Sequence, residues 1–157
     1  MGMSEFLYTS QESLGFMTIT VNRLMNLVLR RHLRDRGIDL TGEQWGVLVM
    51  LWNRDGATQE ELANFACVDK SSMSRVLALM EDKGLVVRRI DPDNARCKRI
   101  RASEAALEIQ ERSLSVVREV LDVALEGVSD EDHATCLRVL DMVKRNLLKN
   151  GTERRMP

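Results

Sequence analysis

The residues with chemistry to offer lie in two short runs. One is Asp69-Lys70-Ser71-Ser72-Met73-Ser74-Arg75, the other Asn94-Ala95-Arg96-Cys97-Lys98-Arg99-Ile100-Arg101. Neither pairs a nucleophile with a base. Among 157 residues the only histidines are His32 and His133, and the three cysteines, Cys67, Cys97 and Cys136, form no Cys-x-x-Cys pair. Catalysis by a nucleophile, base and metal set has no residues to draw on. A structural zinc has no ligand cluster, and no glycine-rich loop cradles a phosphate. The expectation is a chain that is no enzyme, binds no metal and needs no cofactor. What the two runs do offer is hydrogen bonding from cations and small hydroxyls. Nine basic residues against five acidic ones between Asp69 and Arg101 give that window +4, which leaves −5 for the rest of a chain of net charge −1. A basic patch on an acidic frame is the asymmetry of a face that meets nucleic acid.

The flanking residues say which elements hold these runs. Asp69 can cap a helix reaching about Lys83, with Met73, Val76, Leu77 and Met80 as its core stripe and Gly84 as its stop. Lys70, Ser71, Ser74 and Arg75 then fall on the other side, with Ser72 near the boundary. Thr58-Gln59-Glu60-Glu61 is a capping box opening a short helix ahead of it, whose Leu62, Ala63 and Phe65 are expected to face inward. Thr41-Gly42-Glu43-Gln44 is another, starting a helix that carries Trp45, Leu48, Val49 and Trp52 and stops near Gly56. Strands are expected at 85–90 and 96–101, joined by Asp91-Pro92-Asp93-Asn94-Ala95, whose turn chemistry is strong. Short helices, a glycine stop and a basic two-stranded ribbon make a winged helix-turn-helix over 41–101.

In such a unit the second helix of the pair enters the major groove by its first turns. That assigns Lys70, Ser71, Ser72, Ser74 and Arg75 to DNA, with the forked guanidinium of Arg75 suited to guanine. The backbone N–H groups at the helix start would suit a phosphate. In the ribbon, Arg96 and Lys98 are the DNA candidates. Arg96 is nearest the turn and able to enter a minor groove, and Asp91 is placed across the ribbon to brace it. Side chains along a strand alternate, so the ribbon's cations cannot all point one way.

Two outer segments, 11–37 and 102–149, read as long dimerisation helices. Leu14, Met17, Val21, Leu24, Met25, Val28 and Leu29 recur at helical spacing, and Phe16, Ile19 and Leu27 widen the stripe beyond one face, as in helices buried between two partners. Ser103 is expected to cap a helix to about residue 125 with Leu107, Leu114, Val117, Val120 and Leu121 as apolar positions. Ser129-Asp130-Glu131-Asp132 then starts the last helix, which ends near Asn150-Gly151, leaving a polar tail expected to fray. The fold class is mainly α with a small β-wing, and residues 1–157 are expected to form a single domain. An apolar content of 44%, a charged content of 30% and only two prolines suit a soluble helical protein. No apolar run approaches the roughly 20 residues that span a bilayer. Residues 1–10 lack a secretory pattern, so the cytoplasm and no membrane partner are expected.

These stretches together resemble the MarR-type transcriptional regulators over nearly the whole length. Leu40-Thr41, Thr58-Gln59-Glu60-Glu61-Leu62-Ala63, Asp69 to Arg75, Leu79-Met80-Glu81-Asp82-Lys83-Gly84-Leu85-Val86-Val87-Arg88 and Asp91 to Arg96 carry the likeness. The resemblance implies a homodimer that binds double-stranded DNA at a palindromic operator, usually as a repressor. It also implies release by small phenolic or lipophilic effectors, or by oxidants. This chain departs from the pattern at the wing tip, where Asn94-Ala95-Arg96 stands in place of an acidic residue and two arginines. After the wing, Arg101-Ala102-Ser103-Glu104 replaces the usual leucine-threonine step.

Trp45 and Trp52, seven residues apart on one helix with Val49 between, are the candidates for lining an effector cavity, against ordinary core packing. Cys67 and Cys97 flank the reading elements, but the family's peroxide-sensing cysteine lies near the N-terminus, where this chain has none. The alternative to a regulator is a winged-helix protein-interaction module that does not touch DNA.

Overall fold

The computed structural model describes residues 13–54, 56–91 and 94–153, without the side chains of Ala95, Arg96, Thr152 and Glu153. The expectations for residues 1–12, for the 154–157 end of the tail and for the turn residues Pro92 and Asp93 lie outside it. Seven helices and two strands follow in order among the described residues: α1 (Leu14–Asp35), α2 (Gly42–Asn53), α3 (Gln59–Ala66), α4 (Lys70–Asp82), β1 (Val86–Asp91), β2 (Asn94–Ala102), α5 (Glu104–Glu108), α6 (Gln110–Ala124) and α7 (Asp130–Glu153). Backbone contacts divide the chain into two compact units, one through Val120 and one from Leu121.

The first unit is built on starts and stops that the sequence spells out. Ser13 caps α1, its hydroxyl accepting from the Phe16 N–H at 3.1 Å. Thr41 and Thr58 each form a complete capping box, with Gln44 and Glu61 reaching back to the cap N–H at 3.2 and 2.8 Å. Those contacts satisfy donors that a helix end otherwise leaves open. The Glu61 carboxyl is held below its ordinary pKa, chiefly by the Thr58 backbone N–H. Gly84 ends the helix region with φ of +69°, a left-handed turn that glycine adopts without steric cost.

Apolar faces of α1 to α6 and the ribbon meet in one core. Leu33, Leu40, Leu48, Leu62, Met73, Leu77, Met80, Ile100 and Val116 are its most deeply buried large side chains. The ribbon is antiparallel, Val86 opposite Ala102 through Ile90 opposite Lys98, with an irregularity between Ile90 and Asp91. Ala57 adds a bridge to Ile100, with paired hydrogen bonds of 2.9 and 2.7 Å, so the chain before α3 is stitched to the wing's base. Because Leu77 is wholly buried on α4, Leu77→Ala should lower the unfolding free energy by about 2–5 kcal/mol, read from urea denaturation.

Three expectations need correction. The helix expected from Ser103 is broken at Ile109 into α5 and α6. Ser103 does cap it, but the buried Ser113 hydroxyl donates to the Ile109 carbonyl at 2.7 Å, four residues back, a bond that bends helices. The buried face is also turned, with Ala106, Ser113, Val116 and Val120 inward while Leu107 is exposed. Phe65 does not face the core: it is 57% exposed on α3. β1 is shifted one residue along from its expected span, and β2 begins two residues earlier and ends one later than expected.

In the second unit, Ser129 accepts from the Asp132 N–H at 3.1 Å at the start of α7, with three acids in its first turn to oppose the helix dipole. Asp141 pairs with Lys144 at 3.1 Å and Arg145 at 2.7 Å. Among the described side chains of α7 none is fully buried, and Leu137, Met142, Leu147 and Leu148 are more than half exposed.

Candidate nucleic-acid interface

Asp69 organises the start of α4. Its carboxylate accepts from the Ser72 N–H at 2.8 Å, from the Ser71 hydroxyl at 2.5 Å and, by its other oxygen, from the Ser72 hydroxyl at 2.7 Å. The Ser71 hydroxyl first, then the Ser72 N–H and hydroxyl, hold the acid far below the usual aspartate range. Arg75 adds a further link, its Nη2 donating to the Ser72 hydroxyl at 3.3 Å. The result is a chain from Arg75 through Ser72 to Asp69 that fixes the first turn before any ligand arrives. It also alters the phosphate expectation, because the chain's own carboxylate already occupies the donors at the helix start.

The lowered pKa makes a prediction about pH. A depressed native value stabilises the fold above the ordinary aspartate value of 3.8 and ceases to do so as the pH falls below it. Asp69→Ala should therefore melt below the wild type at neutral pH, with the gap in Tm shrinking progressively below that value.

Around the axis of α4, Met73, Leu77 and Met80 are buried while Ser71, Ser74, Arg75 and Ala78 are exposed. Ser71 and Arg75, four apart, stand one above the other on the outward face. Lys70 is exposed and paired with Glu60 at 3.0 Å, a solvated contact that is weak and screened by salt. Ser72 is half-buried, on the side of the helix that turns toward α1 and α2.

A link that the sequence did not reveal runs beneath this helix. Gln59 donates to the Lys70 carbonyl at 3.1 Å and accepts from Arg88 at 3.4 Å, and Arg88 also holds Glu81 at 2.9 Å. One glutamine thus joins α3, the start of α4 and the wing's first strand. Gln59 looks like any second residue of a capping box, so only the fold shows its role.

The ribbon sorts its cations by face. Lys98, opposite Ile90, is exposed on one side, and Arg99 and Arg101, opposite Arg89 and Val87, share the other. Asp91 is buried and its Oδ2 accepts from Arg99 Nε at 2.6 Å. This pairing raises the arginine's pKa still further. Asp91 thus holds Arg99; the expectation that it braces Arg96 lies outside the described residues, because the Arg96 side chain is not among them.

Trp45 and Trp52 do meet, edge to face with ring centroids 5.3 Å apart, and both pack on the core. A cavity lies elsewhere. It holds about 520 Å³ between α1, α2, α3 and α4 and is lined by Asn22, Asn26, Phe65, Ser72, Arg75 and Val76 among others. Gly42 also lines it, and a Cβ there would sit 1.7 Å from the Asn26 Oδ1, so any larger residue at 42 requires the Asn26 side chain to move.

The segment that carries this geometry is the one that matches a known family. Residues 40–98, from the end of the α1–α2 connection through the wing, match the MarR family. That segment belongs to the MarR family of winged helix-turn-helix transcriptional regulators. Within it, this chain is similar to the uncharacterised HTH-type transcriptional regulator YybA of Bacillus subtilis (strain 168), 26% identical over 125 residues that cover 76% of this chain and 83% of YybA. It is 27% identical over 110 residues to the HTH-type transcriptional repressor IacR of Pseudomonas putida, covering 70% of this chain and 66% of IacR. Its fold is similar to the crystal structure of CouR from Rhodococcus jostii RHA1 bound to p-coumaroyl-CoA, with a TM-score of 0.75 and 23% identity, covering 87% of this chain and 94% of CouR. The matched residues run from the start of α2 through most of β2, and a match to this family implies DNA binding. Among the described residues no helix is long and apolar enough to cross a membrane.

Proposed function

We propose that this chain is a homodimeric, sequence-specific repressor that binds a palindromic operator in the cytoplasm and is released by a small-molecule effector. The observation that carries the reading is the first turn of α4. Arg75 and Ser71 stand outward on a helix whose start is already locked by Asp69, so little ordering remains to be done when DNA binds. Lys70, Ser71, Ser74 and Arg75 serve the major groove, Ser72 positions Arg75, and Arg96 and Lys98 serve the wing.

The dimer is supported by apolar surface. Leu14, Phe16, Ile19, Leu24 and Leu27 are exposed along α1, as are Leu137, Met142, Leu147 and Leu148 along α7. Stretches of this kind on a regulator mark an interface between copies. The effector reading is supported by the cavity beside α4, which is large enough for a small aromatic compound and shares Ser72, Arg75 and Val76 with the reading helix. A ligand there would compete for the residues that position Arg75. Trp45 and Trp52 pack on the neighbouring core. That IacR is a repressor and that CouR binds an aromatic thioester fit the same scheme.

Sedimentation and a salt titration on one genomic duplex test the proposal together. A dimer is expected at micromolar concentration, with six to ten phosphate contacts costing about 10³- to 10⁵-fold in affinity between 50 and 200 mM salt. A monomer, or affinity indifferent to salt, would point to a protein-interaction module instead.

A further inference from the structure

Ser71 is held in a state that determines which base edge it is able to recognise. A hydroxyl has one proton to give and two lone pairs to receive. An ionised carboxylate only accepts, so the 2.5 Å contact between Ser71 Oγ and Asp69 Oδ1 spends the serine's one proton on Asp69. Ser72 is in the same position toward the other carboxylate oxygen, and receives Arg75 besides. The two serines nevertheless differ. Ser72 is half-buried beside the cavity, while Ser71 is exposed on the outward face, one turn before Arg75.

We infer that Ser71 reads DNA only as an acceptor, and so selects a base whose major-groove edge carries an exocyclic amine, adenine or cytosine on the contacted strand, over guanine or thymine. The inference rests on the proposed DNA-reading role of α4 and sharpens it. Adenine N6 and cytosine N4 are the donors of the major groove, whereas guanine O6 and thymine O4 are acceptors. Opposite a keto oxygen, Ser71 would set lone pair against lone pair unless it abandoned Asp69. The same logic excludes phosphate oxygens, which also only accept, so Ser71 contributes specificity without adding to the salt dependence. Asp69 reinforces both points, since its negative charge beside Ser71 favours a donor and repels a phosphate. The pattern expected in each half-site is an amino base close to the guanine read by Arg75.

Full-length wild type, Ser71→Ala, Ser71→Thr and Asp69→Asn proteins would be titrated by fluorescence anisotropy on the preferred duplex and on single-atom variants of it. In those variants one adenine is replaced by purine, or one cytosine by 2-pyrimidinone, to delete the amine alone. At one position, deletion should weaken wild-type binding about 3- to 10-fold, the size of one hydrogen bond, and leave Ser71→Ala unaffected. Ser71→Thr, which keeps an acceptor, should retain the sensitivity. Asp69→Asn, which weakens the hold on the serine's proton, should tolerate guanine or thymine there. A Ser71-dependent preference for guanine or thymine would overturn the inference, as would a Ser71→Ala loss spread evenly over all sequences, or no change at all. In each of those cases an intact guanine preference due to Arg75 would leave the DNA-reading role standing. Failure of the wild type to prefer any duplex would remove both.

Discussion

Arg75→Ala should lose roughly 5- to 150-fold in affinity for its preferred duplex at each half-site, and should become indifferent to the base that Arg75 reads. The loss follows from geometry. Arg75 is exposed on the outward face of α4, and its guanidinium is steadied by the Ser72 hydroxyl, itself held by Asp69. Arg75→Lys should not restore the preference, because a single ammonium cannot offer the two parallel donors that match guanine N7 and O6. Affinity for random duplex should fall far less, since that binding comes from phosphate contacts spread over the surface. Anisotropy on matched and scrambled duplexes separates the two effects.

The other large effect is expected far from DNA. Leu27 on α1 and Leu147 on α7 are 67% and 68% exposed, unusual for leucines on long helices. Leu27→Glu together with Leu147→Glu should give a monomer by sedimentation, because a charge buried in an apolar interface lacks any compensating partner. The monomer should keep its fold, as neither side chain belongs to the core. Operator affinity should drop about 10²- to 10⁴-fold, the gain that a second, tethered half-site contributes. A variant that remains dimeric would move the interface elsewhere.

Much of the reading head is legible in the chain. Thr41, Thr58, Asp69 and Ser103 announce helix starts through local bonding between a side chain and the next turn, and all four act as caps. The α4 stripe follows from spacing, because period and burial coincide there, and the two strands follow from valine content and the turn chemistry between them. What escaped is long-range. Nothing local shows that Gln59 bridges the Lys70 carbonyl to Arg88, that Arg99 meets Asp91, or that Phe65 turns away from the core to a cavity. The break at Ile109 depends on Ser113 being buried, which spacing cannot reveal. The apolar surplus on α1 reads from spacing as a helix placed between two partners, and Leu14, Phe16, Ile19, Leu24 and Leu27 are indeed left exposed in the single chain.

Selection of bound sequences from a fully randomised duplex pool, using the intact wild-type protein, tests the central claim most directly. Two copies of α4 held by a two-fold axis should enrich an inverted repeat whose half-site centres are about one helical turn, 10–10.5 base pairs, apart. A guanine should be fixed in each half. An asymmetric motif, a single half-site or no enrichment would contradict the account.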